Sequence, residues 1–225
     1  MSKVSVIIPA AGSGTRFGAD ENKILLPLGG RPMFLRTLEA FAARADVVQM
    51  LLVVAPGDRA AVAERFGETL DAMSVTVVEG GPTRAHSVKN ALAAVTAEAD
   101  LVAVHDAARP CVSQGRIDAV FARAARTGAA ILACPVHGTL KRVADGETIE
   151  QTVCRESLWQ AHTPQVFEAA LLRQAYAQPL ENVTDDAMLV ERLGRTVSVV
   201  PDDPRNLKVT TPADLQLAAA VIDTL

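Results

Sequence analysis

Short β-branched runs alternate along this chain with alanine-rich segments that have helical spacing. The runs are Val4–Ile8, Val47–Ala55, Val75–Val78, Leu101–His105, Ala129–Val136 and Thr196–Val200. The helical segments are Met33–Arg44, Ala85–Val95, Arg116–Arg126 and Pro212–Thr224. Strands that alternate with helices predict βαβ units with right-handed crossovers and a mostly parallel sheet covered on both faces. A length of 225 residues allows one large α/β domain or two small ones, and we expect residues 1–225 to form a single domain.

The segment Gly138–His162 interrupts this alternation. It is more polar than its surroundings and contains two extended pieces on either side of Ala144-Asp145-Gly146. Extended pieces that flank a turn of this composition predict a β-hairpin. We therefore expect residues 138–162 to form a protruding arm, which serves either as a lid over the site or as a dimer clasp.

Charge and cysteine content exclude several classes of protein. Lys and Arg number 22 against 26 Asp and Glu, the net charge is −4, and no basic run occurs, so we expect no nucleic-acid partner. Cys111, Cys134 and Cys154 form no CxxC pair, so their spacing indicates neither a zinc site nor a disulfide framework. Reduced thiols are typical of a cytoplasmic protein. No stretch is long and apolar enough to span a bilayer, so we expect no membrane partner.

A glycine-rich loop, PAAGSGTRFG, follows the first strand directly. Small residues let backbone N–H groups approach an anion closely. The loop lacks the Gly-Lys-Ser/Thr ending of a P-loop, and Phe17 stands where a dinucleotide fingerprint needs glycine. Arg16 and the nearby Lys23 suit a polyphosphate, because phosphoryl transfer builds negative charge that needs fixed positive partners.

Further motifs extend this pattern along nearly the whole chain. They are GGPTRAHSV (80–88), HDAARP (105–110), TLKR (139–142), AHTPQ (161–165), TDDA (184–187) and NLKVTTPADL (206–215). With PAAGSGTRFG and Lys23, and in this order, they resemble the 2-C-methyl-D-erythritol 4-phosphate cytidylyltransferases. The resemblance implies a Rossmann-like nucleotidyltransferase fold and a homodimer clasped by the arms. It also implies that CTP and methylerythritol phosphate give 4-diphosphocytidyl-2-C-methyl-D-erythritol and pyrophosphate in the non-mevalonate isoprenoid pathway, with Mg²⁺ or another divalent cation.

The resemblance assigns roles toward CTP to residues on several of these motifs. Arg16 and Lys23 are expected to stabilise the transition state, while Gly81 and Ser87 read the cytosine edge. The full set expected to bind CTP is Ala10, Ala11, Gly12, Gly14, Arg16, Lys23, Gly81, Ser87, Asp106, Ala107 and Lys208. Pro82 is a departure, because proline has no N–H to donate to a base.

The second substrate is assigned to a different set. By resemblance, Arg155 and Lys208 position it, and its contacts come from Asp106, Arg109, Thr139, Arg155 and Thr163. Arginine suits a phosphate because its planar fork donates two parallel hydrogen bonds. Asp106 ends a strand, where a carboxylate reaches a ribose hydroxyl or a magnesium-phosphate complex, so it is also a candidate metal ligand. Its alternative role is to cap the backbone of the residues that follow it. His105 is expected to be structural, because an ionised phosphate needs no base.

Three other functions remain open from the sequence. A ribitol 5-phosphate cytidylyltransferase of the same fold would also bind CTP and differ only in its acceptor. A catalytically silent nucleotide-binding protein is disfavoured by the presence of both Arg16 and Lys23. An NAD-dependent oxidoreductase is disfavoured by the position of Phe17. We expect a stand-alone enzyme that is not fused to a later enzyme of the pathway.

Overall fold

A computed structural model describes residues 1–12 and 23–224 of the chain. The strands in that part of the chain are β1 (Val4–Pro9), β2 (Pro27–Leu28), β3 (Arg31–Pro32), β4 (Val47–Val54), β5 (Val75–Glu79), β6 (Leu101–Val104), β7 (Ala129–Pro135), β8 (Leu140–Val143), β9 (Ile149–Val153), β10 (Trp159–Glu168) and β11 (Ser198–Pro201). The α-helices are α1 (Met33–Ala42), α2 (Arg59–Ala72), α3 (Arg84–Ala93), α4 (Gln114–Thr127), α5 (Ala169–Tyr176), α6 (Asp186–Glu191) and α7 (Pro212–Val221). Short 3₁₀ turns cover Lys23–Leu25, Pro56–Asp58 and Ile222–Thr224.

The central sheet has seven strands in the order β11-β7-β10-β6-β1-β4-β5. Neighbouring strands are parallel except at β10, which runs antiparallel to both β6 and β7. The antiparallel direction places the start of β10 beside the carboxyl ends of β6 and β7, as the pairs Gln165–Val104 and Trp159–Pro135 show. The hairpins β2–β3 and β8–β9 form separate two-stranded sheets.

Apolar side chains of the strands point alternately into two cores. Val6 and Ile8 pack with α1, α2 and α4 on one face, whereas Ile7 packs with α3, α5 and α6 on the other. A sheet buried on both faces needs nearly continuous apolar strands, and these strands have them. The predicted fold class, an α/β fold with a mostly parallel sheet covered on both faces, is confirmed.

The course of the chain fixes where a ligand can bind. From β1 the chain proceeds outward through β4 and β5, then returns to β6 on the other side of β1. This reversal opens a crevice beyond the carboxyl ends of the strands next to β1, which is where open α/β sheets bind ligands. Residues 10–12 follow β1 and residues 105–108 follow β6, so both segments lie at this crevice.

Several helices and one strand have too weak a hydrophobic pattern to be predicted from the sequence. In helix α2 only Val62 and Leu70 are buried, so few apolar residues mark its inner face. Strand β10 contains Pro164, which argues against a central strand. The ladder accommodates the proline through a register irregularity between Ala161 and Gln165. Helices α5 and α6 were not predicted either.

The predicted arm exists, but its boundary is different. The hairpin comprises β8 and β9, and its turn is held by the Asp145 carboxylate, which accepts the backbone N–H groups of Glu147 (2.9 Å) and Thr148 (2.7 Å). From Trp159 onward the chain pairs with β7, so residues 159–162 of the predicted arm belong to a strand of the central sheet.

The predicted start of the last helix is confirmed at its cap. Thr211 Oγ1 accepts the Asp214 N–H (3.2 Å), while the Asp214 carboxylate accepts the Thr211 N–H (2.8 Å), with Pro212 in the first turn. This reciprocal capping box satisfies two N–H groups that a helix start leaves unpaired.

Within the described residues, no helix is both long and apolar enough to span a bilayer.

Candidate active site

A cavity of about 490 Å³ lies at the carboxyl edge of the sheet, at the crevice between β1 and β6. It brings together residues from five separate segments of the chain. Its lining includes nine residues expected to bind CTP, namely Ala10, Ala11, Gly12, Lys23, Gly81, Ser87, Asp106, Ala107 and Lys208. Gly14 and Arg16, also expected at this site, lie outside the described residues. The topology thus gathers sequence motifs that are far apart along the chain.

The wall between β5 and α3 depends on a glycine pair. A Cβ atom on Gly80 would lie 2.7 Å from the Ala11 Cβ and 2.8 Å from the Ser87 Oγ. A Cβ atom on Gly81 would lie 2.6 Å from the His86 Cβ. No real Cβ tolerates such distances, so only glycine lets the backbone approach this closely.

The Ser87 hydroxyl is held by the same turn. It accepts the Gly81 N–H (3.0 Å) and donates to the carbonyl of Thr83 (3.0 Å), the residue that caps α3. Both contacts fix the Gly81 peptide relative to the helix. Gly81 and Ser87 both line the cavity.

Among the described residues that line this cavity, Asp106 is the acidic one, and its carboxylate faces three cations. Its carboxylate contacts Lys208 Nζ (2.7 Å), Arg84 Nε (3.0 Å) and, at longer range, Arg109 Nε (4.0 Å). Burial alone would raise the pKa of Asp106, but the Arg84, Lys208 and Arg109 cations outweigh it and hold the pKa well below its usual range. The carboxylate therefore stays ionised throughout the physiological range.

Arg84 is fixed from behind by a second carboxylate. Its Nη2 donates to the fully buried Asp186 (2.8 Å), which also accepts a short hydrogen bond from the Tyr176 hydroxyl. Gln165 accepts the backbone N–H groups of Asp186 (3.0 Å) and its neighbour Ala187 (2.9 Å). Burial would lower the pKa of Arg84, but Asp186 and Asp106 raise it well above its usual value.

Sequence reasoning assigned no role to Arg84 or Asp186. Both stand in motifs that carried the resemblance, RAHSV and TDDA, and that membership was the available signal. Their pairing spans 102 residues, which local pattern cannot reveal.

Asp106 is also positioned through its backbone by a chain of hydrogen bonds. The Asp106 N–H donates to Thr163 Oγ1 (3.1 Å), which lies 3.1 Å from His105 Nδ1. His105 Nε2 lies 2.9 Å from the Arg109 carbonyl, which can only accept, so Nε2 carries the hydrogen and Nδ1 accepts from Thr163. Burial lowers the pKa of His105 to about 4, which keeps the ring neutral. These contacts agree with the structural role expected for His105.

Thr163 lies deeper than a substrate contact would require. Thr163 is buried and lines neither the cavity described above nor a second cavity beside it, which is described below. Its hydroxyl accepts the Asp106 backbone N–H. The described contacts make Thr163 a positioning residue for Asp106. A direct contact between Thr163 and the acceptor stays a prediction.

A second cavity of about 510 Å³ adjoins the first and shares Lys208 with it. Arg109 lies on its wall, with Nη1 donating to the Asn206 carbonyl (2.7 Å). Burial lowers the pKa of Arg109. Since Lys208 lies on both walls, a ligand in each cavity can contact the same ammonium group.

Lys23 lies close to the same loop. Its Nζ donates to the carbonyl of Val209 (3.0 Å), the residue after Lys208. Lys23 and Lys208 therefore both line the first cavity.

The two expected acceptor contacts of the arm lie elsewhere. Thr139 and Arg155 are exposed and line neither cavity, and Arg155 Nη1 makes a short hydrogen bond to the His137 carbonyl. Within one chain the structure does not bring them to the site. They reach a site only if the arm extends to a neighbouring copy.

The described residues do not fit a magnesium site of the protein's own. Asp106 is the acidic side chain lining the first cavity, and its oxygens already contact three cations. Mg²⁺ needs several hard oxygen ligands and is commonly held by substrate phosphates. Direct coordination by Asp106, which remained a candidate from the sequence, is therefore not supported by these contacts.

Comparison with known proteins gives a consistent result. Residues 4–224 match the family described as 2-C-methyl-D-erythritol 4-phosphate cytidylyltransferase. The protein of that name from Rhodopirellula baltica is 45% identical over 99% of this chain and 96% of its own length. The crystal structure of the Thermus thermophilus protein of that name superimposes with a TM-score of 0.81 at 38% identity, covering 98% of this chain and 99% of that one. A crystal structure of a 4-diphosphocytidyl-2C-methyl-D-erythritol synthase gives a TM-score of 0.85 at 35% identity, covering 99% of both chains. The chain therefore belongs to the 2-C-methyl-D-erythritol 4-phosphate cytidylyltransferase family.

Proposed function

We propose that this chain transfers the cytidylyl group of CTP to 2-C-methyl-D-erythritol 4-phosphate. An oxygen of the acceptor phosphate attacks the α-phosphorus of CTP in line, the bond from that phosphorus to the oxygen bridging to the β-phosphate breaks, and pyrophosphate leaves. The observation that carries the proposal is the pair of adjoining cavities that share Lys208 in a chain of this family. The product, 4-diphosphocytidyl-2-C-methyl-D-erythritol, is an isoprenoid precursor.

The first cavity suits the cytidine end of CTP. Cytosine has an amino donor at N4 and acceptors at N3 and O2, so it needs one accepting and one donating group at its edge. The Gly81 carbonyl supplies the acceptor. The Ser87 hydroxyl supplies the donor when cytosine replaces the Thr83 carbonyl as the partner of its hydrogen. The backbone of residues 10–12 follows the nucleotide toward its phosphates. Pro82 lies on the wall without an N–H group, so recognition relies on its neighbours.

The cations suit the transferring phosphate. The α-phosphorus gains negative charge in the pentacoordinate transition state, and fixed cations stabilise that charge more than they stabilise the ground state. Lys23 and Lys208 are positioned for this, with Arg16 as a third cation by the family resemblance. In this proposal Asp106, held ionised by Arg84, accepts a ribose hydroxyl.

The second cavity suits the acceptor, but one chain leaves it without the arm residues. Arg109 and Lys208 supply positive charge on its wall, whereas Thr139 and Arg155 lie on the exposed arm. A two-stranded hairpin exposed on both faces has little stability of its own in water. We therefore infer a homodimer in which each arm reaches its neighbour and delivers Thr139 and Arg155 to the neighbour's acceptor cavity.

The family resemblance implies a divalent cation such as Mg²⁺. In this proposal the cation binds to the substrate and not to a site formed by side chains of the chain. Bound to the triphosphate, it would neutralise charge and polarise the phosphate oxygens. The residues of the chain orient the nucleotide, align the acceptor phosphate and stabilise the charge on the α-phosphorus. A cytoplasmic location is inferred from the three free thiols and from the use of CTP as a substrate.

Pyrophosphate release tests the proposal. The purified chain is supplied with Mg²⁺, CTP and either methylerythritol phosphate or ribitol 5-phosphate, and UTP and ATP serve as nucleotide controls. We expect release with CTP and methylerythritol phosphate alone. Release with ribitol 5-phosphate would assign the chain to cell-wall polymer chemistry, and no release with any pair would leave a nucleotide-binding protein without this activity.

A further inference from the structure

Three neighbouring strands bring together a buried cysteine, histidine and aspartate. Cys134 is in β7, His162 is in β10, and Asp202 follows β11 directly, in the strand order β11-β7-β10. Each side chain offers one ligand atom, and these atoms all lie within 4.8 Å of one another. All three residues are more than nine-tenths buried. None of them has a role in the proposed transfer reaction.

The arrangement is not that of a nucleophile activated by a relay. A relay places the nucleophile and the carboxylate on opposite ring nitrogens of the histidine. Here both groups face the same nitrogen, because His162 Nδ1 lies 2.8 Å from Asp202 Oδ2 and 4.0 Å from Cys134 Sγ. Sulfur, nitrogen and oxygen thus converge on one point, which is the geometry of a chelate.

We propose that Cys134 Sγ, His162 Nδ1 and Asp202 Oδ2 bind one thiophilic divalent cation of the zinc class. Cys, His and Asp are the ligands that Zn²⁺ selects. The bond lengths of a tetrahedral zinc site place its ligand atoms about 3.3–3.6 Å apart. The His162–Asp202 distance of 2.8 Å and the Cys134–His162 distance of 4.0 Å differ from that by about half an ångström, and Cys134 Sγ lies within 4.8 Å of the Asp202 carboxylate. Side-chain rotations would bring the three atoms to bonding distance of one cation.

The fourth coordination position faces the acceptor cavity. Cys134 and His162 both line it, together with Arg109 and Lys208. A water molecule or an oxygen of a ligand in this cavity can complete the tetrahedron, as in zinc sites that keep one position open. The cation would then lie on the acceptor side of the molecule, distinct from the nucleotide cavity, whose lining includes none of the three ligands.

The carboxylate is already oriented for this role. Asn206 Nδ2 donates to Asp202 Oδ2 (2.7 Å) and to the Thr163 carbonyl (2.9 Å), and the Asp203 N–H donates to Asp202 Oδ1 (2.7 Å). Such outer hydrogen bonds fix the orientation of metal ligands. Asn206 also accepts from Arg109 through its carbonyl, so a bound cation would be coupled to the wall of the acceptor cavity.

Metal uptake balances by release of one proton. The Cys134 thiol loses its proton to water as the sulfur–metal bond forms. The hydrogen that His162 Nδ1 shares with Asp202 Oδ2 moves to Nε2 by exchange with water, so that Nδ1 can bind the cation without further proton release. No oxidant or reductant is involved.

The sequence did not indicate this site. Its ligands lie 28 and 40 residues apart along the chain, and no CxxC or Cys-to-His spacing marks it. The topology of the sheet is what makes them neighbours.

Cobalt titration tests the proposal on the full chain. The untagged protein is stripped with a chelator and titrated with Co²⁺, and the thiolate-to-cobalt charge-transfer absorbance is followed. We expect one Co²⁺ per chain, displaced by Zn²⁺ but not by Mg²⁺, since Mg²⁺ disfavours sulfur. Absence of the band at stoichiometric Co²⁺ would overturn the proposal.

Variants of the three cysteines locate the site. In Cys134→Ser we expect loss of the charge-transfer band and an affinity lower by about a hundredfold or more, because removing even an outer partner costs about 10–100-fold. Cys111→Ser, matched in burial, and Cys154→Ser, an exposed cysteine, should keep the band. If Cys134→Ser does not fold by circular dichroism, His162→Gln replaces it, and a band unchanged in intensity and affinity there would contradict the assignment.

Discussion

The wall of the nucleotide cavity is fixed from behind by buried charges, whereas the hairpin arm is exposed along both of its faces. Behind the cavity, Asp106 is held by Arg84, and Arg84 by Asp186, which is fully buried. In the arm, Ile149 is 59% exposed, and the cross-strand contact of Lys141 with Thr152 (2.6 Å) is at the surface.

The difference separates two ways of building a site. A cavity with its own buried ion pairs keeps its geometry in a single chain. An arm whose side chains face water acquires a defined environment only when another surface covers it. We therefore expect nucleotide binding to depend on the chain alone and acceptor binding to depend on assembly.

The largest expected effect is a loss of stability when the buried carboxylate behind the cavity is replaced. Asp186→Asn keeps the shape of the side chain but leaves Arg84 with one carboxylate instead of two. Breaking a buried ion pair from one side is strongly destabilising, so the free energy of unfolding should fall by about 3 kcal/mol or more. Urea unfolding measures this. Asp145→Asn in the exposed turn of the arm is the matched control, and an equal loss there would remove the contrast between the two regions.

The next effect concerns turnover. Lys23→Ala should lower kcat by about a hundredfold or more, with a smaller change in the KM for CTP, because the ammonium group acts on charge that develops in the transition state. Steady-state kinetics at saturating acceptor measure both constants. Lys141→Ala, which removes a cation from the arm, should leave both nearly unchanged. Equal losses in kcat and CTP affinity for Lys23→Ala would mean simple ground-state binding.

The buried histidine predicts a pH dependence of stability. Its folded pKa of about 4 lies below the ordinary value of 6.5, so the folded state binds fewer protons than the unfolded state between these values. Stability should therefore fall as pH decreases from 6.5 toward 4, and His105 should account for about 2 kcal/mol of the loss between about pH 7 and pH 5.

Comparison of variants isolates this contribution. In His105→Asn the difference in unfolding free energy between the neutral and the acidic condition should shrink by that amount. His137→Asn, which replaces a histidine at the base of the arm, should leave the difference as it is in the unmodified chain. An unchanged pH dependence in His105→Asn would show that the ring is not held neutral.

The smallest expected effect lies in the arm. Arg155→Ala should raise the KM for methylerythritol phosphate about tenfold and leave CTP binding intact, because a hydrogen bond to a charged group contributes about 1.5 kcal/mol or more. Steady-state kinetics with the acceptor varied provide the measurement. A change in CTP affinity with unchanged acceptor affinity would contradict the assignment.

Mixed dimers decide whether the arm serves the neighbouring site. Arg155→Ala chains are combined with Lys23→Ala chains. If arms are exchanged, each mixed dimer has one site with both residues intact, and turnover at low acceptor concentration recovers above that of either variant alone. If each arm serves its own chain, every site in the mixed dimer lacks either Lys23 or Arg155. Turnover then does not recover.

The sequence predicted the groups that lie at strand ends. Asp106 follows the strand Leu101–His105, which has no polar residue before His105, so its position at the carboxyl edge followed from strand direction. Gly81 was assigned by family resemblance. The alternation of strands and helices likewise predicted the fold class.

Other features depended on pairings that no local pattern encodes. The Arg84–Asp186 pair joins residues 102 positions apart, and β10 is inserted between β6 and β7 despite Pro164. Thr163 was assigned to the acceptor by family resemblance, but it is buried in β10, between the residues where the ladder is irregular. Such features follow from the tertiary arrangement rather than from residue spacing.

The antiparallel direction of β10 has a consequence for how the arm can vary. Pro135 at the end of β7 and Trp159 at the start of β10 are paired neighbours, so everything between them is formally one long hairpin loop. The entropy cost of closing a loop grows only with the logarithm of its length. The chain can therefore lengthen or shorten this loop at little cost to folding, while both of its ends stay anchored at the edge of the sheet that holds the nucleotide cavity.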